Sequence, residues 1–194
     1  MDYSPGLRGV IAGETQISTV GMEGTSLRYR GYDAVGLTNT NTYEDVASLI
    51  IDDDLDGELF KKSFSNHYKK LSEDSGLIEL INRLKTEQHP MDVTRTAISY
   101  IGEANESNKL DAASKVTAIA CLAIASYNKE LSDVLDQKYT VASSLLPNSS
   151  TQQQLEALDD MLILYAEHGF NASTFAARVT ASTRSDLISA IVSG

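Results

Sequence analysis

The sequence predicts a mostly α, multi-helical chain with one small β-hairpin near its N-terminus. Three observations carry this. Apolar residues recur at three- and four-residue spacing through most of 42–194. Capping residues stand just before several of those runs. Two-residue alternation of apolar and polar side chains is confined to the stretch before residue 33.

The N-terminal elements follow from those patterns. Residues 1–13 are punctuated by glycine and read as an extended arm. Thr15, Ile17 and Thr19 alternate with Gln16 and Ser18, and Gly21-Met22-Glu23-Gly24 supplies a turn. Leu27 and Tyr29 resume the alternation, so residues 14–32 predict a hairpin, with Arg28 and Arg30 on a solvated edge. From Thr42 the period becomes helical. Thr42 with Asp45 resembles a capping box, and Tyr43, Val46, Ala47, Ile50 and Ile51 form the apolar face behind it. Asp52-Asp53-Asp54 ends that helix; it lacks the alternating ligands and glycine of a calcium loop, so a solvated turn is expected.

The middle of the chain carries four further helical patterns. Leu59, Phe60, Phe64, Tyr68 and Leu71 make one stripe, with His67 on its charged side. Leu77, Ile78, Leu80, Ile81 and Leu84 make the next. His89-Pro90 opens another, where proline suits the first turn; no metal-type ligand stands at a matching spacing, so His89 reads as a cap or as a residue supporting a site from behind. Asp111–Glu130 is a strong helix, apolar around much of its circumference. Pro147-Asn148-Ser149-Ser150 breaks the chain, and Thr151 with Gln154 offers a capping box to the helix that follows.

Leu155, Leu158, Leu162 and Tyr165 recur at helical spacing. His168 is therefore expected one turn further along the same face, at the helix C-terminus, with Gly169 as the stop. Asn171 or Ser173 caps the next helix through its side-chain oxygen. That helix is expected to run from Ser173 to the C-terminus. Ser173, Ala177, Ala181, Ser185, Ser189 and Ser193 give it a fourfold-spaced ridge of small residues, which lets another helix approach closely.

The totals set limits. A chain of 194 residues allows one domain with a real core. The formal charge of −11 argues against nucleic acid, and an anionic ligand would need local arginines against the global field. The single cysteine, Cys121, excludes a disulfide framework and reads as a buried, inert thiol. No apolar run reaches the roughly 18 residues of a membrane span, and the N-terminal stretch lacks a signal-peptide pattern, so the cytoplasm is the expected location. No glycine-rich phosphate loop and no metal-ligand constellation is present.

Tyr165 to Ser182, YAEHGFNASTFAARVTAS, resembles the signature of the citrate synthase family, in which a histidine, a turn and Asn-Ala-Ser-Thr lead into a dimer-forming helix. The likeness runs on through Asp186 and Ser189. Gly6-Leu7-Arg8-Gly9, Leu27 to Asp33 and His89 to Thr96 agree in the same order, whereas Asn105 to Gln154 is weakly matched. The resemblance implies a single partial domain over 1–194, the first part of the family's helical large domain. In that reading 1–33 is the arm and hairpin, and 42–194 is helical. It implies acyl transfer, in which the methyl or methylene carbon of an acyl-CoA adds to the ketone of oxaloacetate. His168 matches the oxaloacetate-binding histidine, Asn171 and Ser173 shape the site, and Arg8 matches an arginine that reaches coenzyme A across the dimer. No cofactor is expected, the coenzyme A thioester being a substrate. Tyr165 and Glu167 point to the 2-methylcitrate branch and propionyl-CoA rather than acetyl-CoA. The family pattern continues beyond the equivalent of Gly194 into loops carrying an enol-stabilising histidine and a catalytic aspartate. The expectation is therefore a synthase portion inactive by itself, paired through helix 173–193 as a homodimer or with a complementing C-terminal polypeptide. The alternative is a non-catalytic helical module that pairs with a full-length synthase.

Overall fold

The computed structural model of the chain describes residues 13–21, 26–102, 108–131 and 139–194. Three two-residue strands open it: β1 (Ser18–Thr19), β2 (Arg28–Tyr29) and β3 (Tyr32–Asp33), in an antiparallel sheet of order β1-β2-β3. The expected hairpin is therefore extended by a second one. Tyr29 pairs with Tyr32, leaving Arg30 (φ 48°) and Gly31 (φ 90°) as a two-residue turn. Two consecutive positive φ angles match the right-handed twist of the flanking strands, and glycine takes the second at no steric cost. The expected turn at residues 22–24 lies outside the described residues.

Ten helices follow among the described residues. Asp33 caps α1 (Ala34–Thr38), a short helix the periodicity missed because five residues carry little of it. Thr42 and Asp45 form the expected capping box of α2 (Tyr43–Asp52), and Asp53 ends α2 in the left-handed region at φ 60°. The acidic triplet there is exposed, with Asp53 3.8 Å from Arg30. Then come α3 (Glu58–Ser72), α4 (Ser75–Leu84) and α5 (Pro90–Tyr100), the last capped by His89, whose Nδ1 accepts the Met91 N–H at 3.2 Å. The helix read as Asp111–Glu130 is α6 (Lys109–Ala125), ending five residues earlier. Thr140 and Ser143 box a short α7 (Val141–Leu145), which was not foreseen.

The largest core lies between α3 and α6, the most extensive helix pairing. Phe64, Tyr68 and Tyr139 stack through it, with ring centroids 5.8 and 4.9 Å apart. Cys121 is buried in the same core, and burial pushes its thiol up to about 12, as an inert thiol requires. His67, expected on the charged side of its stripe, is partly exposed there and paired. Its Nε2 lies 2.9 Å from Asp111 Oδ1, and Ser63 Oγ donates to the same oxygen, so one carboxylate ties α3 to the first turn of α6. Those two hydrogen bonds, with Ser63 the larger cause, hold the Asp111 carboxyl below the usual range.

A second, smaller core contains Tyr29, Ala34, Leu37, Val46, Leu49 and Ile163. It joins the sheet, α1 and α2 to α8 (Gln152–Leu164), which starts at the Thr151–Gln154 capping box as expected. The last stretch differs from its prediction in two ways. First, α8 stops at Leu164, so His168 lies in a loop rather than on a helix tip. Second, the single helix from Ser173 is two: α9 (Ala172–Ser182) and α10 (Leu187–Ser193). Arg184 (φ 62°) breaks the run, and Asp186 caps α10 by accepting the Ser189 N–H at 2.9 Å. The two helices fold back on each other within one chain, while Ser173, Ala181, Ser189 and Ser193 of the ridge stay exposed. Thr180 Oγ1 donates to Ser193 Oγ at 2.8 Å, and a Cβ at Gly194 would sit 2.8 Å from the Ser173 carbonyl oxygen. The fourfold ridge is thus divided, with Ser185 in the bend. Ile188 of α10 reaches the main core instead.

The Tyr29 hydroxyl donates to the Ile163 carbonyl at 2.8 Å within the small core. Tyr29→Phe removes that buried hydrogen bond at nearly constant volume and leaves the carbonyl to the Ala166 N–H at 3.2 Å. It should cost about 1 kcal/mol in urea unfolding. Amide exchange in 164–169 should rise more than in α3 or α6.

Candidate functional site

The loop between α8 and α9 is shaped by what holds its two ends. At the start, Tyr29 anchors the carbonyl of Ile163, and burial pushes the Tyr29 phenol above its ordinary pKa. In the middle, the Glu167 carboxylate accepts from Ser18 Oγ at 3.2 Å and from the Gly169 backbone N–H. Gly169 has φ 92°, so the chain reverses there in a conformation that suits glycine. Val20 packs near it, 3.7 Å from where a Cβ would be. Phe170 lies under the Arg178 guanidinium, 5.0 Å from ring centroid to Cζ. The β-sheet therefore serves as the clamp that presents this loop.

At the far end, Asn171 Oδ1 accepts the Thr174 N–H at 2.8 Å and caps α9. Asn171 rather than Ser173 is the cap; Ser173 is exposed in the first turn. That cap fixes which way the Asn171 amide points. With Oδ1 committed to the helix, Nδ2 faces His168 Nε2 at 3.3 Å. A side-chain amide nitrogen only donates, so Nε2 is the acceptor and the neutral ring carries its proton on Nδ1. The exposed imidazole thus presents an Nδ1–H, a donor suited to a carbonyl oxygen.

The expected site residues are therefore only partly assembled. His168 and Asn171 are brought together. Ser173 is nearby in sequence and exposed in the first turn of α9. Arg8 lies outside the described residues. His67 and His89 are committed elsewhere, to Asp111 and to the α5 N-terminus. Among the described residues no cluster of histidine, cysteine or carboxylate side chains converges to hold a metal. No helix among them is long and apolar enough to cross a membrane. Sequence reasoning missed Ser18 and Tyr29, and read Glu167 only as a mark of the 2-methylcitrate branch. Each sits in a short or irregular segment, where spacing carries no information about a tertiary partner.

Comparison with known proteins places this geometry. Residues 6–194 match the family model described as citrate synthase, C-terminal domain. The chain belongs to the citrate synthase family. Within that family it is 37% identical over 213 residues to 2-methylcitrate synthase 2 of Corynebacterium glutamicum, spanning 98% of this chain and 55% of that protein. It is 38% identical over 206 residues to 2-methylcitrate synthase of Shewanella oneidensis, spanning 96% and 53%. The citrate synthase of Thermoplasma acidophilum superposes with a TM-score of 0.82 at 21% identity, over 99% of this chain and 55% of that one. The fold is therefore the mostly helical citrate synthase fold, with the small sheet as its β component. The chain spans about half the length of these citrate synthase-family relatives.

The amide–imidazole pair generates its own test. Asn171→Asp keeps the oxygen cap but replaces the donor facing His168 with an acceptor. Long-range 1H–15N spectra should show His168 change from the Nδ1–H tautomer toward a ring protonated on Nε2, with helicity unchanged. Asn171→Ala removes both roles and should also cost about 1 kcal/mol of stability.

Proposed function

We propose that this chain supplies the oxaloacetate-binding part of a 2-methylcitrate or citrate synthase-like acyltransferase. His168 donates to the ketone of oxaloacetate and makes its carbon electrophilic. Asn171 orients the ring, and Ser173 contributes to the wall behind it. The exposed His168 beside the Asn171 cap carries the reading, supported by identity above a third to 2-methylcitrate synthases. The superposing Thermoplasma acidophilum enzyme is a ternary complex with carboxymethyl coenzyme A and oxaloacetate, which fits these substrate classes.

The proton that must leave the acyl-CoA carbon needs a base, and a ring that donates to a ketone does not supply one. The other two histidines are engaged away from His168, and Glu167 is held by Ser18 and Gly169. Turnover therefore depends on groups supplied from outside these residues. Arg8 is the candidate for coenzyme A, and propionyl-CoA is favoured over acetyl-CoA. One methylene discriminates by only about 1–3 kcal/mol, so both acyl groups are accepted. Association is proposed through α9 and its surroundings, as a homodimer or with a complementing C-terminal polypeptide. Met161, Tyr165 and Val179 are exposed apolar side chains there, Tyr165 by 85%. A non-catalytic partner of a full-length synthase would use the same face. A cytoplasmic location accords with this chemistry.

A coenzyme A release assay with oxaloacetate and propionyl-CoA or acetyl-CoA tests the reading. The pure chain should give no turnover. Addition of the C-terminal half of a relative should restore it, and His168→Ala should remove it again by at least a hundredfold. Robust turnover by the pure chain would overturn the assignment.

A further inference from the structure

A cleft of 570 Å³ opens between α1, α2, α7 and α8, away from the His168 loop. Four carboxylates line it: Glu44 of α2 and Glu156, Asp159 and Asp160 of α8. No lysine, arginine or histidine is among its described lining residues. Glu44 is 1% exposed. Its Oε1 accepts the Val141 N–H at 2.8 Å, whereas its buried Oε2 has no hydrogen-bond partner among the described residues. Asp159 accepts the Tyr43 N–H at 3.1 Å. Burial, and then the charge of Glu44, push the Asp159 carboxyl up to about 6. Negative charges are thus held together in a partly dry wall, with no cationic side chain among the described residues that line it, in a chain of net charge −11. A buried carboxylate oxygen without a donor is costly, and a cleft lined by one sign of charge concentrates the opposite sign.

We propose that this cleft binds an organic ammonium ion, an aliphatic di- or polyamine. A compact metal ion suits it less, because hard cations need several oxygens converging on one point, and no group of three carboxylates among the described residues does so. The carboxylates are instead spread along a helix face. Glu156 and Asp160 stand four residues apart on α8, with Cβ atoms about 5–6 Å apart. That spacing suits two ammonium groups joined by a short methylene chain. Leu155 and Ala142 supply apolar wall for the methylenes, and the hydroxyl oxygens of Thr42, Thr140 and Ser143, each already accepting one backbone N–H, keep a second lone pair for the remaining N–H groups. One Glu156 oxygen already accepts from Gln152 Nε2 at 3.0 Å, leaving the other to the ligand. The site is independent of the synthase reading and stands or falls separately.

The test is thermal melting and calorimetric titration of the 194-residue chain with spermidine and putrescine at pH 7.5, with sodium chloride matching the ionic strength. Spermidine at a hundredfold excess over its Kd should raise the melting temperature by about 5 °C. Glu156→Gln with Asp160→Asn should weaken binding at least tenfold. Asp52→Asn with Asp54→Asn removes the same charge from the exposed α2 turn and should leave binding within twofold. All four positions lie at or near the surface, and circular dichroism confirms that the variants fold. No stabilisation beyond sodium chloride would overturn the proposal. So would an equal effect from magnesium chloride, or an equal loss in both double variants, which would reduce the effect to the field of an acidic chain.

Discussion

One buried hydroxyl sets the geometry on which the candidate site depends. Tyr29 is fully buried, and its single polar atom must find a partner inside the small core. It finds the carbonyl of Ile163, among the last carbonyls of α8, which also accepts the Ala166 N–H at 3.2 Å. A strand residue near the start of the chain is thereby fixed to the point where the chain leaves α8. The direction of residues 165–170 follows from that point. Ser18 and Glu167 then hold the loop in the middle, and the Asn171 cap holds its end. The small sheet is best understood as a clamp on this loop rather than as a layer of the fold.

The distribution of acid explains much else. Many of the carboxylates sit where a helix needs a negative oxygen, as Asp33, Asp74 and Asp186 do at N-termini. Such positions gain from the helix dipole and from direct N–H donors. Asp111 binds two side chains of α3 and joins the largest helix pair. Glu44 and Asp159 are different. Each accepts one backbone N–H, but they also face one another's charge across a partly buried wall. The packing of α2 and α7 against α8 therefore carries an electrostatic cost that the remainder of the core offsets.

The helical fold was legible because long amphipathic segments report their own burial. α2, α3, α4, α5 and α8 appear where the apolar stripes lie, and the boxes at Thr42 and Thr151 mark their starts. The caps at His89 and Asn171 were readable for the same local reason. Short α1 and α7 were not, since five residues make barely more than one turn. The bend at Arg184 was missed because nothing in Thr183-Arg184-Ser185 is a strong helix breaker. It is the Asp186–Ser189 cap, together with burial of Ile188, that favours a fresh start. Within the site, the motif gave His168 and Asn171 by resemblance. It did not give their mutual geometry, which follows from the amide orientation. Nor did it give the partners of Tyr29 and Glu167, which are distant in sequence or hidden in a turn.

The lone thiol of this chain has a practical consequence. Cys121 is 4% exposed inside the α3–α6 core, and burial keeps its sulfur protonated well above neutrality. Disulfide reagents react with thiolates that they can reach. The folded polypeptide is therefore silent toward them, so colour developed in their presence originates in free coenzyme A. Once the core opens, one equivalent of reagent is consumed per chain, and the same dye becomes a clock for global unfolding.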